Sequence, residues 1–248
     1  MTLLLVVAHP DDETFGCGSL LAHAARLGRT VVVCATRGER GEVPVGMGVP
    51  TGGLGRAREG ELRAAAAVLG VAHVEILGLG DSGMAGPPPA DSCCATPAAT
   101  LTSIVGDAIT RHHPSVVVTL DGSDGHRDHL RLRDAVLAAV EPGLPTYLHC
   151  LPRSLMREWL RAQDGDSSAS AYQQLPEIGT PDHEITTVID TGEHYATRLA
   201  AISQHRSQTS PYDGLPDALR RRFLTRDHLR RVWPPWPGGP TENELLGL

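Results

Sequence analysis

Short apolar runs at residues 3–7, 30–35, 74–77, 116–120 and 147–150 recur along the first 150 residues of this chain. Between them lie segments with apolar residues at helical spacing. Cys17, Leu20, Leu21 and Ala24 share one face, and Gly28 ends that helix. Leu62, Ala65, Ala66 and Leu69 mark a helix over 58–69, closed by Gly70. Leu101, Ile104, Val105 and Ala108 stripe a third, and His129, Leu132, Val136 and Ala139 a fourth. Runs of five residues are too short for buried helices. Alternating with amphipathic helices, they demand parallel pairing through crossovers. The expected fold is therefore α/β and Rossmann-like: a mostly parallel sheet, helices on both faces, and a C-terminal extension. The expected organisation is one domain over 1–248, with its core in 1–150 and a less patterned part in 151–248. That part holds a strand over 184–189, a helix over 193–205 and, at 233–240, a Pro-rich stretch unable to form regular structure.

Such sheets bind ligands beyond the carboxyl ends of their strands, so the strand-to-helix loops 8–16, 36–57, 78–97 and 121–128 are where chemistry is sought. The first carries His9-Pro10-Asp11-Asp12-Glu13, and the last leads into Asp124-Gly125-His126-Arg127-Asp128-His129. His126 and His129, three apart at a helix start, can face one way. Imidazole and carboxylate suit Zn²⁺, and a catalytic zinc keeps a position for water. His9, Asp12 and His129 could supply three ligands. Asp11, pointing away from Asp12, is then placed to take a proton from water, and His126 to act as a second acid/base or to polarise a carbonyl. The ordinary alternatives are a solvated helix cap for the aspartates and core or surface placement for the histidines. Two such clusters, each after a strand, argue against both.

The motif AHPDDE after the first strand, with a later GHxDH, resembles the PIG-L/LmbE-like N-acetylglucosaminyl deacetylases. Thr36-Arg37-Gly38-Glu39, Arg58-Glu59-Gly60-Glu61-Leu62 and Gly80-Asp81-Ser82-Gly83-Met84 extend the likeness across about residues 3–140, with a fainter echo at His205-Arg206-Ser207-Gln208. The resemblance implies zinc-dependent removal of an N-acyl group from an amino-sugar-type substrate. It implies His9, Asp12 and His129 as ligands, Asp11 as general base, and His126 as a stabiliser of the tetrahedral intermediate or a proton donor. Arg58 and Asp81 are implied to touch sugar or inositol hydroxyls. Zn²⁺ is the expected ion, with Fe²⁺ or another divalent ion as alternatives. A relative that cleaves an amide-linked thiol conjugate is a second reading. Two His and a carboxylate also describe a non-haem iron oxygenase, although there the first pair is usually one residue apart on a jelly roll. A nucleotide-binding module lacks support, because no GxGxxG follows the first strand.

Composition narrows the partners. Lys plus Arg is 22 and Asp plus Glu is 29, a net charge of -7, which argues against nucleic acid or an anionic membrane. The start lacks a basic region and no apolar run of ~18 residues occurs. A small-molecule partner, a cytoplasmic location and no membrane span are expected, with homo-oligomerisation left open. The 5 cysteines read as reduced thiols, with Cys93 and Cys94 in a polar stretch as candidates for exposure.

Overall fold

A computed structural model describes residues 1–163 and 177–248. Its sheet has seven strands in the order β3-β2-β1-β4-β5-β7-β6. They are β1 (Thr2–Val7), β2 (Arg29–Cys34), β3 (His73–Ile76), β4 (Val116–Leu120), β5 (Thr146–Cys150), β6 (Thr187–Asp190) and β7 (Arg226–Trp233). The first five pair in parallel, with Leu3 opposite Thr30 on one side and Val116 on the other. β7 runs antiparallel to both β5 and β6. The strands of the C-terminal part thus extend the sheet built by the first 150 residues.

The helices are α1 (Asp12–Phe15), α2 (Gly18–Leu27), α3 (Leu54–Val68), α4 (Ala98–His112), α5 (Arg127–Ala139), α6 (Arg153–Ala162), α7 (Tyr195–Ile202) and α8 (Asp217–Leu224). β1 is buried on both faces, which is why it reads as a continuous apolar run. Leu3, Leu5 and Val7 pack with Leu20, Leu21 and Ala24 of α2 and Leu62 and Ala65 of α3. Leu4 and Val6 pack on the other face with Leu101 and Val105 of α4 and Leu132 and Val136 of α5. A leucine buried like these is worth roughly 1.5–3 kcal/mol over an exposed one. A satellite cluster joins Leu155, Met156 and Trp159 of α6 to Leu219, Phe223 and Leu224 of α8.

From β1 the chain moves outward through β2 and β3, then returns to place β4 on the other side of β1. The order therefore reverses at β1 and β4, and the loops after these two strands diverge from a shared crevice. That crevice is where the two histidine clusters meet.

Several local expectations change. α3 starts at Leu54, not 58, and the expected helix over 193–205 is a 3-10 turn followed by α7, ending at Ile202. The strand expected over 184–189 is β6, three residues later at its start. Cys93 is fully buried and Cys94 half-buried. The loop folds back through a bridge between Gly80 and Ser92, and Cys94 N–H donates to Ser82 Oγ. α6, α8 and β7 had no counterpart in the sequence reading. Among the described residues, no helix is long and apolar enough to cross a membrane.

Candidate active site

The loop after β1 closes at once into the single turn of α1. Thr14 and Phe15 N–H groups donate to the Asp11 carbonyl. Asp11 adopts φ 116, a region costly for a non-glycine residue. This twist sends the two adjacent carboxylates to different neighbours. Asp12 Oδ2 accepts the N–H groups of Ala8 and His9 at 3.1 and 2.8 Å, and it faces both histidine rings. Asp11 Oδ2 accepts instead from Arg58 Nη2 at 2.6 Å.

His9 and His129 meet across the crevice. His9 Nδ1 lies 3.3 Å from His129 Nε2. Asp12 Oδ2 is 3.6 Å from the former and 3.2 Å from the latter. The far side of each ring has a carboxylate. His129 Nδ1 is 2.6 Å from Asp124 Oδ2, and His9 Nε2 is 3.2 Å from Asp128 Oδ2 and 3.6 Å from Asp81 Oδ1. When the rings are neutral, those outer partners favour the tautomers that carry the proton outward, which turns the lone pairs of His9 Nδ1 and His129 Nε2 toward Asp12.

The residues present fit a divalent metal. Tetrahedral ligands at 2.0–2.1 Å would be about 3.3 Å from one another, and the three donor atoms form a triangle with sides of 3.2–3.6 Å. Charge points the same way, since Asp12, Asp81, Asp124 and Asp128 surround just these two imidazoles. Burial opposes charge on His129, yet Asp12 and Asp124 raise its pKa to about 10. His9 is likewise desolvated but held well above its ordinary value by Asp12, Asp128 and Asp81. Without a cation the cluster takes up protons, and a dication would replace them.

His126 caps α5, its Nδ1 accepting Asp128 N–H at 3.2 Å. Its ring centre is 4.5 Å from that of His9 and 4.8 Å from that of His129. One nitrogen from each of these three rings lies within 4.8 Å of the others, so a three-His ligand set is also within reach. Burial, with His9 and His129 alongside, lowers the His126 pKa to about 4.

Arg58 and Asp81 both line this region, and both are buried. Arg58 donates to the Gly38 and Pro10 carbonyls at 2.7 and 2.6 Å as well as to Asp11. It does not pair with Glu61. Asp81 accepts the N–H groups of Arg40 and Gly83 at 3.1 and 2.7 Å. Four residues that sequence reasoning left without a role complete the site. Asp124 and Asp128 stand behind the histidines, and Arg127 ties the 82–86 loop down through the Ser82, Gly83, Ala85 and Gly86 carbonyls. Glu13, fully buried, accepts Asp11 N–H at 2.9 Å. The first three were signalled by their place within the second histidine cluster, and Glu13 by its place in the first.

Residues 4–140 match the family model described as PIG-L: GlcNAc-PI de-N-acetylase. The chain belongs to the PIG-L family. A relative from Saccharopolyspora erythraea, 1D-myo-inositol 2-acetamido-2-deoxy-alpha-D-glucopyranoside deacetylase 1, is 37% identical over 235 residues, covering 83% of this chain and 77% of that one. The PIG-L fold is shared with N,N'-diacetylchitobiose deacetylase from Pyrococcus horikoshii, at TM-score 0.56 and 17% identity over 93% of this chain and 83% of that one. It is shared equally with GalB, the 4-carboxy-2-hydroxymuconate hydratase of Pseudomonas putida KT2440, at TM-score 0.63 and 19% identity over 96% and 99%. A hydratase on the same scaffold means that the fold alone does not name the reaction. Family membership and the named relatives do so: this PIG-L protein is an enzyme, a deacetylase that hydrolyses an amide bond. The iron-oxygenase and nucleotide-module readings are thereby set aside.

Proposed function

We propose that this PIG-L enzyme is a zinc-dependent N-deacetylase acting on an N-acetylglucosaminyl inositol or a close amino-sugar relative. The triangle of His9 Nδ1, Asp12 Oδ2 and His129 Nε2, with Asp11 beside it on the same turn, carries this reading. Zn²⁺ held by these three residues would polarise the acyl carbonyl and acidify a water.

Asp11 takes the proton as the water oxygen bonds to the carbonyl carbon. Burial raises its carboxyl pKa to about 6, even though Arg58 opposes the shift, so the group is a stronger base than an exposed aspartate yet ionised at neutral pH. His126 is neutral there. With Nδ1 accepting Asp128 N–H, its Nε2 bears the proton and can donate to the developing oxyanion. The C–N bond then breaks, the amine nitrogen takes the proton from Asp11, and a carboxylic acid and a free amine leave.

Arg58 and Asp81, which the family resemblance sets against sugar hydroxyls, are assigned here to holding Asp11 and His9. Both terminal nitrogens of Arg58 already donate to Gly38, Pro10 and Asp11, leaving only its buried Nε without a partner among the described residues, and Asp81 already accepts from Arg40 and Gly83. The relatives, named as deacetylases of amino-sugar compounds, support this substrate class. The test is release of free amine from 2-acetamido-2-deoxy-glucosyl inositol, from simple N-acetylated amino sugars and from an amide-linked thiol conjugate, using zinc-loaded enzyme. Turnover of the conjugate alone would overturn the amino-sugar assignment.

A further inference from the structure

The segment at 195–208 reaches the β1 loop from far along the chain. Arg198 is fully buried and donates to the Thr14, Phe15 and Gly16 carbonyls, closing the end of α1. His205 Nε2 lies 2.8 Å from Glu13 Oε1, with both side chains fully buried. The other Glu13 oxygen is the one that accepts Asp11 N–H. Two residues on, Ser207 donates its N–H and its Oγ to the two Glu61 oxygens at 3.0 and 2.7 Å. Glu61 is on α3, about one turn from Arg58, whose guanidinium holds Asp11 Oδ2. Asp11 is therefore held at its backbone by Glu13, which His205 bonds, and at its carboxylate by Arg58, which shares α3 with the Glu61 that Ser207 bonds.

A physical need for this exists. The positive φ of Asp11 is costly for a non-glycine residue and persists only where its surroundings over-determine it. Glu13, which fixes that conformation, is a buried carboxylate and needs a hydrogen-bonded partner of its own. Among the described residues His205 and the Thr14 hydroxyl, at 2.5 Å, supply the side-chain bonds to it.

We propose that His205 and Ser207 are positioning residues for Asp11. His205 acts through Glu13 on the Asp11 backbone, and Ser207 acts through Glu61 and α3 on Arg58. The proposal rests on Asp11 being the general base. A displacement of about 1 Å in a reacting group can cost ~10²-fold in rate. His205→Ala and Glu13→Ala are accordingly expected to lower kcat by about 10- to 10²-fold, with KM and zinc content near those of the parent enzyme. Glu13→Gln keeps an oxygen for Asp11 N–H and should recover most of that loss. Ser207→Ala keeps its backbone donor and should lose only severalfold.

Each zinc-loaded variant is assayed at a temperature where circular dichroism shows it folded. Unchanged kcat in His205→Ala and Glu13→Ala overturns the proposal. So does zinc lost in proportion to activity, because the pair would then be scaffolding Asp12, and so does a rise in KM alone. If His205→Ala does not fold, the decision passes to Glu13→Ala with Glu13→Gln, and the absence of recovery in the glutamine variant overturns it. Asp11→Asn, run in parallel, separates the two layers: full kcat there would remove the base assignment itself, whereas an indifferent His205→Ala beside an inactive Asp11→Asn removes only the positioning role.

Discussion

His9 Nδ1 and His129 Nε2 face each other at 3.3 Å, with Asp12 Oδ2 within 3.6 Å of both. Two imidazoles can present lone pairs to each other at this distance only if something positive lies between or beside them. The carboxylates behind the rings, Asp124 and Asp128, set up that arrangement.

The first expectation follows from this pair. The enzyme should bind about one divalent ion per chain, and a chelator should abolish turnover. His129→Ala should remove most of the ion, as read by elemental analysis after dialysis. Full metal content in the His9→Ala, His129→Ala double variant would place the ion elsewhere.

Asp11 bonds to Arg58 and has no part in the donor triangle. Asp11→Asn should therefore keep the metal while kcat falls by about 10²–10⁴-fold, the usual contribution of a general base. The wild-type acid limb should also vanish. Asp11 works when ionised, so activity rises as pH passes upward through its pKa, which burial sets at about 6 in the metal-free chain. A bound dication is a further positive neighbour and moves that limb to lower pH. Metal loss in Asp11→Asn would mean that the two aspartates have exchanged roles.

Arg58 gives its donors to Asp11, Pro10 and Gly38. Arg58→Ala should lower kcat more than it raises KM, because it frees the base and leaves the substrate contacts in place. A large rise in KM at constant kcat would instead return Arg58 to the sugar hydroxyls, at about 1.4 kcal/mol for each tenfold.

Away from the site, His149 on β5 faces Asp227 on β7 at 3.4 Å, both buried. Burial opposes the charged ring, but Cys17 and Asp227 raise its pKa to about 10. Because this exceeds the unfolded value of ~6.5, the stabilisation is complete below pH ~6.5 and fades as pH rises toward the folded value. Thermal unfolding followed from pH 6.5 to 10 should show Tm falling, by roughly 2–4 °C per kcal/mol lost at this size. His149→Asn should have a lower Tm at pH 6.5 and a flatter profile. Parallel profiles would show that the pair does not titrate in this window.

The sequence by itself determined β1 to β5, the helices between them, and the places where His9, Asp12 and His129 emerge. Strands buried on both faces leave continuous apolar runs, and their helices leave one apolar stripe. Such signals are local. The tertiary structure decided what local signals do not encode. β7 was hidden because its inward positions are Asp227, Leu229 and Arg231, so the alternation that marks a strand carries charges where apolar residues are expected. α6 does carry Leu155, Met156 and Trp159 on one face, but what they cover is α8, which is visible only in three dimensions. Asp11 and Asp12 are neighbours of identical chemistry, and only the positive φ of Asp11 sends one carboxylate to Arg58 and the other to the histidines. The hold on that φ comes through Glu13 from His205, 192 residues further along the chain. No spacing rule reaches so far, because the contact exists only once α7 has packed against the α1 turn.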